Sequence, residues 1–223
     1  MPTIAMPLST ANAHHAWQPQ GTVYGTLLNF RREWDLWAPR MTQDPHKAAP
    51  QAPILYVKSA NTFSPAGQDL MLQNGVTEVD IGATLGLVIG GDGQVAGAAL
   101  LCDWSVPHAS YYRPPVKFRC RDGFLALPQQ VTQGQVADWA ALQIAVSRNG
   151  ERVQTVDLRE LMRDLPTLLA DVGEFMTLQA GDVLMVGTDG LADGSRPRAK
   201  AGDRVEISAP GFSSVSVQVG GAA

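Results

Sequence analysis

At 223 residues and 23.8 kDa, with 45% hydrophobic and 17% charged residues, the chain is long enough to bury one large core and too apolar to be disordered. A formal charge of −4 and a pI near 5.5 argue against nucleic acid or an anionic membrane as the main partner. No apolar run approaches the roughly 20 residues that span a bilayer.

The opening stretch, MPTIAMPLSTANAHHAW, has neither a basic n-region nor a continuous apolar segment, so no secretory signal is expected. Only Cys102 and Cys120 occur, without a CxxC pair, which predicts inert thiols in a reduced, cytoplasmic protein. His14 and His15 are neighbours, and neighbouring side chains on a strand point apart, so a shared metal is not expected there. Twenty-two glycines, fifteen prolines and short apolar runs favour strands and turns. The predicted strands are Thr22–Leu28, Ile54–Val57, Thr84–Ile89, Ala96–Leu101, Ala141–Ser147, Val183–Val186, Arg204–Ile207 and Ser213–Val219. Trp37–Pro53, with four prolines and His46, reads as an irregular connection. GGDGQ at 90–94 reads as a hairpin turn, since no GxGxxG or Walker pattern surrounds it. The expected organisation is a single domain over 1–223: an N-terminal segment, 1–53, with a lid-like part and the proline-rich connection, then a β core over 54–219.

One helical region is predicted. Asp157 and Glu160 resemble a capping box, and Leu158, Leu161, Met162, Leu165, Leu168, Leu169, Val172 and Phe175 recur at three- and four-residue steps, giving one apolar face. Pro166 must break or restart that helix, because it has no N–H to donate.

The densest candidate for chemistry is DWSVPHASYYRPPVKFRCRDGF, residues 103–124. Arg113, Lys117, Arg119 and Arg121 fall close together in an acidic chain, and guanidinium forks match carboxylates. If Lys117, Arg119 and Arg121 lie on one strand, alternation places them on one face. His108 and Tyr112 lie just upstream, so an acid–base group is expected beside an anion-binding surface. The alternative is a solvated, charged edge strand.

GTLLNFRREW, ILYVKSANTF, ATLGLVIG, VAGAALLCDWS, CRDGFLALP, DLPTLLADVGEFMTLQAGDVLMVGT and AGDRVEI, in that order, resemble the fumarylacetoacetate hydrolase family over residues 21 to 219. The resemblance implies a β-rich α+β fold, a mixed rolled sheet or barrel with a few short helices, commonly dimeric. It also implies chemistry on diketo or oxo-enoic acids, with Mg2+ or Mn2+ held by three carboxylates. Aligned on Val88-Ile89-Gly90, the family's two glutamates fall on Gly82 and Thr84, and only Asp103 remains as a metal ligand. Glu78 and Asp80 lie about 13 Å too early along a strand to replace them. One carboxylate is a poor cage for a cation that takes about six oxygens. The lid histidine is absent, with Asn29-Phe30-Arg31-Arg32 leading to Glu33. Arg119 replaces a family lysine, while Lys58 and Thr188 match family positions.

These departures resemble a branch of the family built of two fused modules, of which the C-terminal one keeps the metal carboxylates. That resemblance implies a decarboxylase acting on 5-oxopent-3-ene-1,2,5-tricarboxylate in aromatic catabolism. His108, Arg119 and Lys58 would be its catalytic groups, and Arg113, Lys117, Arg121, Tyr112 and Thr188 its contacts to a di- or tricarboxylate. A homodimer, or a complex with a homologous subunit, is the expected assembly. Two other readings stay open: a non-catalytic, metal-less partner of such a subunit, and a hydrolase of another oxo-enoic acid.

Overall fold

The computed structural model of the chain describes residues 16–44, 46–108 and 116–221. Its largest sheet has eight strands. Ile54–Lys58, Val23–Leu27, Val183–Met185, Ala83–Ile89, Val95–Asp103, Leu125–Ala126 and Phe63–Ser64 lie side by side in that order, and Thr132–Gln133 also pairs with Val95–Asp103. The sheet is mixed: Val23–Leu27 runs parallel to Val183–Met185, and Phe63–Ser64 parallel to Leu125–Ala126. A second sheet joins Glu151–Asp157, Gln143–Arg148, Arg204–Ser208, Val215–Gly220 and Leu70–Met71. A two-stranded ribbon pairs Glu78–Asp80 with Arg198–Lys200. The α-helices are short: α1 (Arg31–Trp37), α2 (Val116–Arg119) and α3 (Leu165–Gly173).

All eight predicted strands form, with ends shifted by one or two residues. The 90–94 turn closes the central hairpin as expected, with Gly90 N–H donating to Gln94 O at 2.7 Å and Gly93 at a φ of 75° that glycine adopts without strain. Period-two alternation then sorts the hairpin's side chains between two cores. Ala83, Leu85, Leu87, Ala98, Leu100 and Cys102 face the larger cluster, which also takes Val205, Ile207, Val215 and Val217 of the second sheet. Ala99 and Leu101 face the smaller cluster with Val23, Tyr56, Val183 and Met185. Thr84 pairs with Leu101, so residues 82, 84 and 86 and Asp103 belong to this second face. The candidate site lies at its end.

Two expectations are corrected. The long helix after Asp157 is instead a single 3-10 turn, Leu158–Glu160, followed by α3. Asp157 accepts from Arg159 N–H only two residues on, while Asp164 caps α3 through Thr167 N–H at 2.9 Å. Pro166 sits in the first turn of α3, where its missing N–H is not needed. The apolar face survives the break, with Leu158, Leu161, Leu165, Leu168 and Val172 all buried. The single basic strand does not form either: Val116–Arg119 is α2, and its residues diverge by helical rotation rather than alternating on one face.

Candidate active site

Asp103 ends its strand with a fully buried carboxylate. Lys58 Nζ lies 2.9 Å from Oδ1, Arg119 Nη1 lies 2.6 Å from Oδ2, and the Tyr56 hydroxyl donates to Oδ2. Tyr56 and Lys58 are two apart on one strand, which places both on its inner face. Gly25 stands opposite Tyr56, and a Cβ there would meet the phenol ring at 2.1 Å; the glycine makes room for it. Lys58 also donates to Phe124 O at 2.8 Å and to Arg119 O, beside its ion pair with Asp103. The Arg119 guanidinium lies 4.8 Å from the Tyr56 ring centroid.

This cluster sets the charge states of its members. Burial pushes the Asp103 carboxyl up, but the adjoining Lys58 and Arg119 cations outweigh it and hold the group below the usual carboxylate range. Burial pulls the Lys58 ammonium down, opposed by Asp103. Burial and the Asp103 charge push the Tyr56 phenol well above its ordinary value, keeping it a donor.

His108 is half-buried, with Nδ1 at 2.8 Å from Val106 O and 3.3 Å from Ser105 Oγ. Its ring stacks on Phe118, with centroids 4.6 Å apart and planes 6° from parallel. Burial is the main cause of a lowered pKa, so the neutral imidazole is favoured. His108, Asp80, Ser195, Arg196 and Arg198 line a cavity of about 360 Å³. Arg196 Nη2 pairs with Glu33 Oε1 at 2.8 Å, and Glu33 Oε2 accepts from Leu28 N–H. Where the resemblance places a lid histidine, this chain thus has an acid tying α1 to the cavity wall.

The other sequence-derived candidates scatter. Arg121 bonds Gln73 Oε1 at 2.8 Å and Lys117 O at 3.1 Å, while the Lys117 side chain is exposed on α2. Thr188 is buried with its Cγ2 beside Gly82. Tyr112 and Arg113 lie outside the described residues, as do His14 and His15. Tyr56 and Arg196 were not singled out in the sequence, and Asp80 was weighed there only as a metal ligand and set aside; for Tyr56 the two-residue spacing from Lys58 was the available signal, whereas Asp80 and Arg196 come together only through the ribbon.

The donor set does not fit the family's divalent ion. A Cβ on Gly82 would stand 2.4 Å from Asp103 O and 2.9 Å from Thr188 Cγ2, leaving no room for a glutamate. Thr84 is fully buried and its hydroxyl turns toward Leu85 O at 3.4 Å. Among the described residues, no three His, Cys, Asp or Glu side chains converge as a metal site.

The sequence matches the fumarylacetoacetate (FAA) hydrolase C-terminal family over residues 22–220, and the chain belongs to the fumarylacetoacetate hydrolase family, a family of enzymes. Among curated relatives, the 4-hydroxyphenylacetate degradation bifunctional isomerase/decarboxylase of Escherichia coli is 32% identical over 203 residues, covering 86% of this chain and 46% of that protein. The chain therefore spans about half the length of such relatives. The 2,4-didehydro-3-deoxy-L-rhamnonate hydrolase of Sphingomonas is 29% identical over 71% of this chain and 61% of its own length. The fold resembles fumarylpyruvate hydrolase of Pseudomonas aeruginosa, solved with Mn2+ and pyruvate, at a TM-score of 0.72 and 20% identity over 98% of this chain and 99% of that one. No helix among the described residues is long and apolar enough to cross a membrane.

Proposed function

We propose that the chain is a decarboxylase component of aromatic catabolism acting on 5-oxopent-3-ene-1,2,5-tricarboxylate, with 2-hydroxyhepta-2,4-diene-1,7-dioate isomerisation a property of the paired system. The observation that carries this reading is the 32% identity to a bifunctional isomerase/decarboxylase over 86% of the chain. Loss of carbon dioxide breaks a carbon–carbon bond and leaves its electron pair in a dienolate, whose oxygen needs a cation or preorganised donors. Lys58 and Arg119 supply fixed positive charge behind the site, positioned by Asp103, and are too buried to touch the substrate as they stand. His108, on the cavity wall, is the proposed proton carrier to the dienolate carbon. Arg113, Lys117, Arg121, Tyr112 and Thr188 are the proposed carboxylate contacts.

The test is carbon dioxide release from the tricarboxylate by the purified chain in excess chelator. Turnover is the expected result. A second reading, a non-catalytic partner of a homologous subunit in a hetero-complex, is favoured by one observation: the family's glutamate positions are Gly82 and Thr84, and a Cβ on Gly82 would stand 2.4 Å from Asp103 O. Turnover that appears only when a metal-binding family subunit is added would select it, and none under either condition would reject both.

A further inference from the structure

We infer that the Asp103 carboxylate is neutralised by this chain's own Lys58 and Arg119 cations in place of a divalent ion, which leaves the site indifferent to Mg2+ and Mn2+. Three independent features converge on this. The first is the ion pairing of the remaining acid. Oδ1 of Asp103 lies 2.9 Å from the Lys58 ammonium, while Oδ2 accepts from Arg119 at 2.6 Å and from the Tyr56 hydroxyl. A metal bound there would have to displace a buried ammonium or guanidinium, each of which would then lose its counter-charge in a medium of low dielectric.

The second feature is steric. The strand that would carry the family's two glutamates is closed against its neighbours. Besides the contacts at Gly82, a Cβ on Gly86 would stand 2.6 Å from Leu101 Cδ1 and 2.8 Å from Val183 Cγ1. The small residues of GATLG have let the backbone and the apolar side chains close over the face that Asp103 shares. The third is charge. Lys58 and Arg119 already carry two positive charges against one carboxylate, so a further doubly charged ion would meet net repulsion and far fewer than its usual six or so oxygen ligands. The guanidinium is locked from a second side by the Tyr56 ring face, 4.8 Å away.

The experiment loads the purified full chain with millimolar MnCl2, removes free ion by desalting, and measures bound manganese by elemental analysis beside thermal unfolding with and without Mn2+. The readout is bound metal, so it stands whether or not the chain turns over the proposed substrate. Well under one ion per chain and an unchanged melting temperature are expected. Stoichiometric manganese that is lost in Asp103→Asn, or bound more tightly in Arg119→Met, would overturn the inference; the second variant decides if the first does not fold. Manganese that neither variant alters lies on other acids and leaves Asp103 as inferred.

Discussion

Asp103 is the residue on which the buried charges depend. Replacing one member of a buried ion pair leaves the other without compensation, at a cost of about 3–5 kcal/mol. Asp103→Asn removes the carboxylate paired with Lys58 Nζ and is expected to lose stability of that order, read as a fall in the urea midpoint at constant slope. His108 belongs to a different class: it is half-buried and lines a cavity rather than a core. His108→Asn is expected to leave the melting temperature close to wild type while lowering kcat about a hundredfold or more, the usual contribution of a positioned proton-transfer group. A variant with unchanged turnover would remove His108 from the mechanism.

At the scale of elements, short devices decide where secondary structure starts and what may face it. The Asp164 side chain caps α3, and Asp164→Ala is expected to cost about 1 kcal/mol in chemical denaturation. Asp157→Ala should cost less, because Asp157 caps only the three-residue turn Leu158–Glu160. Gly82→Ala tests the closed strand: its methyl would meet a backbone oxygen at 2.4 Å, and overpacking of this kind costs about 1–3 kcal/mol. The eight predicted strands were legible because each alternates or runs apolar between turn residues. Glu151–Asp157 was not: in ERVQTVD the buried positions are Gln154 and Val156, so hydrophobicity marks only part of its inner face. The helical expectation failed at one point, where the apolar period continues across 158–175 although the backbone breaks between Leu161 and Asp164, since both halves pack on the same core.

The whole molecule carries an acid-sensitive charge distribution. Asp103 has its pKa lowered in the folded state, so its contribution is present above the unfolded carboxylate value of about 3.9 and is lost as pH falls through the lower folded value. His108 is lowered too, so its neutral form favours folding above about 6.5, and that contribution fades as pH drops through its folded value. Burial raises Asp80 and Asp189, which act in the opposite sense and soften the loss on acidification. Stability is therefore expected to decline below about pH 6 and more steeply below about pH 4, with the lower limb reduced in Asp103→Asn but kept in part by Asp164 and Asp203, whose hydrogen bonds hold them below the usual carboxylate range too. Urea unfolding across this range checks both limbs.

The family, the β-rich fold and the absence of the two metal glutamates were written in the sequence, because strand alternation, turn glycines and residue identity are local properties. So was the concentration of positive charge over residues 113–121. What that charge does was decided by the tertiary structure. A four-residue helix turns Arg119 inward to Asp103 and Lys117 to solvent, and the bend after it sends Arg121 to Gln73, where alternation along a strand would have kept them together. Tyr56 and Lys58, 63 and 61 positions before Arg119 in sequence, close the cage around the same carboxylate. Pairing across such distances depends on sheet order and on which face each strand presents, and no local pattern of residues encodes either.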